Sequence, residues 1–395
     1  MALIVQKYGG SSLATPKHIR RAAARIREAK RSGQDIVVVA SAMGRMTDHL
    51  ILLAHKTVQR PPQRELDMLM TAGERISMSL LAMALHEEGI PAISFTGSQS
   101  GIVTTNHHTE ARILTLRAHR IQEELARGKA VIIAGFQGVS EQKEITTLGR
   151  GGSDTTAVAL AAALGAECCE ILTDVNGLFS ADPRLVPEAK LLSTCSYDEA
   201  LELASLGAKM HPRSLEMARR YGVRLRICSA HDSQLEGTWI GEQSPNRKEQ
   251  IMEETKIRGV TTRDGYHFFQ SQIPLDRLFS ILRPHRVHLR FLSGTSEGVS
   301  FLCEKEKAQA VREVLLESHL PFEEIAKVAV ISAVGEGLSS CPDVVPDFLQ
   351  AIQSSGAQVL LLCINALSAS VAVPAAQKEL ATQAAHRRLI EEASS

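Results

Sequence analysis

The chain has 395 residues, room for two or three domains, and its 44 lysines and arginines balance 44 aspartates and glutamates to a formal net charge of zero. A neutral chain with 4% aromatic residues has no global field to steer it onto nucleic acid or an anionic membrane, and no platform for stacking bases. At 44% hydrophobic and 22% charged it also excludes disorder or a fibrous repeat as the main state, so phosphate chemistry would need locally placed charges.

Residues 3–6, 35–40, 91–95, 130–134, 170–173 and 224–228 read as strands, short apolar or β-branched runs between turn residues. Between the first two, the spacing predicts a helix. Thr15 caps it, Pro16 suits its first position, Ile19, Ala22, Ala23, Ile26 and Ala29 share one face, and Gly33 stops it. Another helix is expected from near Arg45, with Ser41 and Thr47 as candidate caps, and a longer one over 64–85 that carries Glu74. Strand, helix, strand in repetition predicts a layered α/β domain with a mainly parallel sheet.

The character changes at Gly241, where 241–254 (GEQSPNRKEQIMEE) is polar, contains Pro245 and suits a linker. Beyond it the expected elements are a strand at 267–270, a helix at 275–282, strands at 287–292 and 298–303, and a helix at 308–317. A second round follows over 326–332, 344–354, 358–364, 369–373 and 377–390. Both rounds have the order of small ferredoxin-like α+β units. The expected division is therefore one domain over 1–245 and two units over 255–322 and 323–395, the last segment able to pair back with the first unit.

Seven cysteines, an odd number without a CxxC pair, signal neither a disulfide framework nor a thiolate zinc site. The N-terminal residues lack the pattern of a signal peptide, and no uncharged apolar run approaches the ~18 residues a bilayer needs. Reduced, buried thiols and a cytoplasmic setting are expected.

Three segments carry chemistry. Lys7-Tyr8-Gly9-Gly10-Ser11-Ser12 follows the first strand: paired glycines let backbone N–H groups approach phosphate oxygens, and the lysine adds a mobile charge. The same residues would also suit a tight turn with an exposed lysine. In Gly149-Arg150-Gly151-Gly152-Ser153-Asp154, a glycine-rich turn opens an alanine-rich helix, whose N-terminal donors and Arg150 favour an anion. Asp154 either caps that helix or orients a lysine. Thr173-Asp174-Val175-Asn176-Gly177-Leu178-Phe179 places an aspartate at the C-terminal end of a strand, where open α/β sheets bind ligands.

Together these segments resemble the amino acid kinase family and, within it, the aspartate kinases. Residues 7–12 look like the opening K-x-G-G-[ST]-S signature. Ser41-Ala42-Met43-Gly44 with Thr47-Asp48, Thr71-Ala72-Gly73-Glu74-Arg75-Ile76-Ser77, Gly135-Phe136-Gln137-Gly138, and the runs 149–157 and 173–184 support it. The resemblance is strong to about residue 240 and weak beyond, where it implies tandem ACT units. It implies a three-layer α/β amino acid kinase fold with a mainly parallel central sheet, plus C-terminal α+β ferredoxin-like ACT units.

The resemblance also implies roles. Lys7, Gly9, Gly10 and Ser11 would meet the ATP phosphates. Ser41, Thr47, Glu74, Arg150, Gly151, Gly152 and Ser153 would hold L-aspartate, with Glu74 facing its ammonium and Arg150 a carboxylate. Asp154 would organise Lys7, and Thr173, Asp174, Phe179, Arg184 and Lys209 would line the nucleotide side. The implied partners are L-aspartate and ATP with Mg²⁺ bound through the phosphates, without a protein metal site, nucleic acid or membrane. The implied product is 4-phospho-L-aspartate, at the head of lysine, methionine and threonine synthesis, and the implied assembly is a homodimer or higher through the ACT units.

The chain departs from the family pattern in several places. One residue separates Lys209 from His211-Pro212 where two are usual, a rotation of about 100° if the segment is helical. Phe179 stands where tyrosine is common. Asn365-Ala366-Leu367-Ser368 replaces a Ser-Glu-Ile-Lys-like strand, so feedback through the usual ACT site is not implied, while a dimerising role is. His107-His108 lacks a third placed ligand and reads as a solvated pair, and Trp239 as packing near the domain boundary. Another carboxylate or carbamate kinase and a non-catalytic amino acid sensor are the alternatives. The 71–77 segment argues against the first, and intact Lys7, Arg150, Asp154 and Asp174 against the second.

Overall fold

The computed structural model describes residues 2–208, 210–232, 235–241, 256–285, 287, 289–295, 298–336, 338 and 341–392. Two compact units emerge. One comprises Met1–Leu178, Leu191–Leu201 and Lys209–Pro245, the other Phe179–Lys190, Glu202–Ala208 and Asn246–Ser395.

The first unit opens with β1 (Leu3–Tyr8), α1 (Pro16–Arg31), β2 (Asp35–Ala40), α2 (Met46–Thr57), α3 (Gln63–Glu87) and β3 (Ala92–Phe95). Then come β4 (Ile102–Thr104), β5 (Ile113–Leu116), α4 (His119–Ala126), β6 (Ala130–Ala134), β7 (Gln137–Ser140), β8 (Ile145–Thr147), α5 (Gly152–Leu164) and β9 (Cys168–Thr173). The last elements are β10 (Thr194–Cys195), the first half of α6 (Tyr197–Leu206), which from Glu202 on belongs to the other unit, α7 (Pro212–Tyr221), β11 (Leu225–Ser229) and β12 (Thr238–Ile240).

Eight strands form the central sheet in the order β10-β12-β11-β9-β1-β2-β6-β3, and every pairing except β11 with β12 is parallel. All six strands expected from the sequence are in it. β1 runs two residues past its apolar run because Lys7 and Tyr8 still pair with Val39 and Ala40 on one side and Ile171 and Leu172 on the other. α1 forms as its signals require: the Thr15 hydroxyl accepts from the His18 N–H at 3.3 Å, and Gly33 takes φ +86° after its end. Its Ile19, Ala22, Ala23 and Ile26 share a core with Met78, Leu81 and Leu85 of α3 and with Ile36, Val38 and Ile132 of the sheet. α5 packs against β1, β2 and β9.

α3 is long and apolar enough by composition to cross a membrane, yet its most apolar 18-residue window is 56% buried inside the protein, as in a core helix. A separate sheet, β5-β4-β7-β8, has strands of three or four residues, too short for a periodicity signal, and none of them is among the strands expected from the sequence.

The second unit contains β13 (Lys256–Ser271), α8 (Leu275–Leu282), β14 (Leu289–Gly294), β15 (Val299–Glu304) and α9 (Lys305–Glu317). It continues with β16 (Phe322–Glu336), α10 (Val344–Ser354), β17 (Leu361–Ile364), β18 (Ser368–Pro374) and α11 (Lys378–His386). One antiparallel sheet, β14-β15-β13-β16-β18-β17, runs through it. β13 and β16 are far longer than the sequence pattern predicts because each pairs along its length with the other. Val260, early in β13, lies in the core beneath α10 and α11, whereas Phe269 of the same strand stacks on Phe301 at 5.5 Å in the core beneath α8 and α9.

The segment Phe179–Lys190 is held to this unit by several bonds. Val260 N–H donates to the Ser180 carbonyl at 2.6 Å, Gln383 Nε2 to the Leu185 carbonyl at 2.8 Å, and Ser180 Oγ meets buried His386 Nε2 at 2.9 Å.

Candidate active site

The loops after β1 and β2 meet at the carboxyl ends of the central strands. Gly44 N–H donates to the Gly10 carbonyl at 2.9 Å, and a Cβ on Gly10 would stand 2.9 Å from the carbonyls of Ala42 and Gly44. Only glycine permits that approach. The Gly9 N–H is occupied by the Leu172 carbonyl at 3.2 Å, which ties the loop to β9.

Beside this junction the helix α3 delivers Glu74, 3% exposed. One carboxylate oxygen accepts from the Ala42 N–H at 3.2 Å, and the other is buried without a hydrogen-bond partner. Burial pushes the Glu74 carboxyl up to about 7, with the Ala42 N–H opposing the shift. Ser77, one turn on, donates its hydroxyl to the Ser41 carbonyl at 2.7 Å and so fixes the loop after β2.

The third wall is the glycine turn into α5. Gly149 and Gly151 take φ +75° and +68°, and a Cβ on Gly151 would lie 2.2 Å from the His211 ring. Phe136 takes φ +69°, a strained backbone for a bulky residue, held by its N–H donating to Thr156 Oγ1 at 3.1 Å. Gly151 occupies the N-cap of α5 and Asp154 lies in its first turn, where its Oδ1 is 2.6 Å from Lys7 Nζ. Asp154 therefore pairs with the lysine and is not a cap. Neither does Ser41 or Thr47 cap α2, whose N-cap is Arg45 without a side-chain bond.

These walls enclose a cleft of about 1380 Å³. Lys7, Gly10, Ser41, Thr47, Glu74, Arg150, Gly151, Gly152, Ser153 and Asp154 all line it. The arrangement offers a lysine held by an aspartate, a helix N-terminus with an exposed arginine, and a buried carboxylate with one free oxygen. Such a set can grip an anion at one end and an ammonium at the other.

The other expected residues lie elsewhere. Thr173 ends β9 beside the β1 loop and donates its Oγ1 to Asp174 at 3.0 Å, and exposed Ser11 opens a short helical turn after Gly10 whose Ser12 and Leu13 are buried. Phe179 and Arg184 belong to the second unit, where Arg184 makes a two-pronged pair with Asp182 at 3.0 and 2.5 Å. Lys209 lies outside the described residues. His107 is exposed, but His108 is not solvated: its Nδ1 meets the buried Asp67 at 2.8 Å. Trp239 packs partly buried beside the first unit's core, with the guanidinium groups of Arg224 and Arg226 over its ring.

Sequence reasoning missed Asp67 and Arg213, and it met Phe136 only as part of the 135–138 motif. A signal for Asp67 existed, because positions 67, 70, 71, 74, 78, 81 and 85 form one buried stripe on α3 and two carboxylates interrupt it. Nothing local marks Arg213.

The amino acid kinase family profile matches residues 2–229 of the chain. The chain belongs to the amino acid kinase family. Among members of that family it is 41% identical to an aspartokinase of Bacillus sp. (strain MGA3), over 98% of this chain and 97% of that one. It is 40% identical to an aspartokinase of Mycolicibacterium smegmatis, over 98% and 96%. Its fold is similar to that of E. coli aspartokinase III in complex with aspartate and ADP, with a TM-score of 0.81, 23% identity, and coverage of 98% of this chain and 99% of that one. This amino acid kinase thus aligns with aspartokinases along nearly its whole length.

Proposed function

We propose that the chain transfers the γ-phosphoryl group of ATP to the side-chain carboxylate of L-aspartate, giving 4-phospho-L-aspartate for lysine, methionine and threonine synthesis in the cytoplasm. The observation that carries the reading is the buried, unpartnered Glu74 oxygen in the same cleft as the Lys7–Asp154 pair. A carboxylate in that position lacks only a donor of opposite charge, and an α-ammonium supplies it. The aspartokinase relatives, and the neighbour complexed with aspartate and ADP, support the same assignment.

The acceptor carboxylate, with an ordinary pKa near 3.9, is ionised at neutral pH and needs no general base. The barrier is an anion approaching an anion, so catalysis rests on positioning and charge neutralisation. Lys7, aimed by Asp154, would meet the phosphate being transferred. Arg150 and the first amides of α5 would hold the amino acid's carboxylate, with Ser41, Thr47 and Ser153 around it and Glu74 on the ammonium. Gly9, Gly10 and Ser11 would lie beside the phosphates, Gly10 lining the cleft with Lys7, and Thr173 and Asp174 would take the nucleotide. The described residues hold no group of three His, Cys, Asp or Glu side chains able to cage a metal, and Mg²⁺ carried by the triphosphate would supply charge neutralisation there. We further propose a homodimer or higher assembly through the antiparallel sheet of the second unit.

Hydroxylamine trapping of the acyl phosphate with single amino acids tests the substrate. Hydroxamate with L-aspartate alone is expected, and equal yield from L-glutamate, or none from L-aspartate, would sink the reading. Lys7→Ala is expected to lower kcat by about a thousandfold with the melting temperature nearly unchanged. Near-normal kcat in that variant would remove Lys7 from the mechanism.

A further inference from the structure

Asp67 is fully buried on α3 and does not line the cleft. Burying a carboxylate is costly unless donors replace water, and here they come from two separate segments. His108 Nδ1 meets one oxygen at 2.8 Å, Thr147 Oγ1 donates to the other at 2.6 Å, and the Thr109 N–H is shared between both at 3.1 Å. Thr109 takes φ +66°, a backbone state that persists only when the surroundings enforce it.

Those two segments are walls of the cleft. Thr109 faces it directly, and Thr147 stands three residues before Arg150 in the glycine turn. They are joined again above Asp67. The Ala111 N–H donates to the Thr147 carbonyl at 2.9 Å, and Arg213 donates to the carbonyls of Leu148 at 2.8 Å and Ala111 at 3.0 Å. A Cβ on Gly149 would lie 3.0 Å from the Thr109 carbonyl, so the segments touch with no slack. The glycine turn, with two left-handed residues flanking Arg150, has little stiffness of its own and takes its position from these ties.

We infer that Asp67 is a positioning residue for the amino acid half of the site. Through Thr147 it sets the height of the turn that carries Arg150, and so where the guanidinium meets the substrate's carboxylate. The inference rests on the reading of Arg150 given above. It places the consequence on the amino acid and leaves ATP binding alone, because the β1 loop and β9 make no bond to Asp67.

The test is steady-state kinetics on the full chain, varying L-aspartate and ATP separately. Thr147→Val, which removes one bond without changing shape, is expected to raise the KM for L-aspartate about tenfold and to leave that for ATP within about twofold. Asp67→Ala should do the same or more, and if it fails to fold, Thr147→Val decides. Thr147→Ser, which keeps the hydroxyl, should restore the parental constant. An aspartate KM within about twofold of the parent in Thr147→Val, or an equal rise in both constants, overturns the inference. Arg150→Gln separates it from the reading beneath it. If Thr147 acts through Arg150, Thr147→Val adds little in the Arg150→Gln background. Full additivity overturns that route, whereas an Arg150→Gln enzyme that handles aspartate like the parent overturns the role of Arg150 itself.

Discussion

Burial raises the Glu74 carboxyl and also leaves the free oxygen on which its proposed role rests. With its carboxyl raised to about 7, the free enzyme at pH 6 keeps most of this group protonated, and a protonated Glu74 cannot pair with an ammonium. The KM for L-aspartate is therefore expected to fall about tenfold between pH 6 and pH 8, then level off. Glu74→Gln should give a high, flat profile, and a pH-dependent KM persisting in that variant would exclude Glu74 as its source. Stability runs the other way. A raised carboxyl stabilises the fold while protonated, and that contribution is lost as pH rises from the ordinary glutamate range through about 7. Unliganded Glu74→Gln should consequently melt higher than the parent at pH 8, with saturating aspartate narrowing the gap. The residue types in this site were legible in the sequence, since lysine, glycines, arginine and aspartate stand in motifs that name their chemistry. Glu74's unpaired oxygen was not, because pairing is a property of the whole surrounding shell.

At the scale of elements, the turn into α5 shows how little of a site's geometry is local. The sequence marks it as a glycine-rich helix N-terminus, and that is what forms. What it hides is why Gly151 must be glycine: the His211 ring, brought by the start of α7 some 60 residues on, fills the space a Cβ would need. Gly151→Ala should cost about 1–2 kcal/mol for the left-handed backbone alone, displace the ring, and raise the KM for L-aspartate. His211→Ala in the same chain should recover part of the loss, since the clash goes and the backbone strain stays. Absence of any recovery would show that the ring is not what the turn presses on. Helices α1 and α3 were readable because capping and apolar periodicity are local signals, and β2 and β6 because they are continuous apolar runs. The short strands β4, β5, β7 and β8 were not, because three or four residues carry too little pattern to outweigh loop composition.

For the whole molecule, the antiparallel sheet of the second unit leaves β14 and β17 as its edges, and Ile364 at the end of β17 is 48% exposed. Edge strands that carry exposed apolar residues favour pairing with another chain. Sedimentation should give a mass at least twice the 42.9 kDa of the chain, and Ile364→Lys should weaken the assembly. A monomeric parent at working concentration would rule out the assembly proposed above. By itself the sequence determined the class of fold, the six longer strands of the central sheet and the identity of the charged groups, since helix signals, apolar runs and glycine motifs act over a few residues. Five of the seven cysteines are buried, and none of the seven is in a disulfide. Only the tertiary structure decided which groups face one another: Asp154 toward Lys7, Asp67 toward Thr147, His211 toward Gly151, and β13 shared between two cores. These contacts join residues tens of positions apart or more, and their geometry depends on packing across layers that no local pattern records.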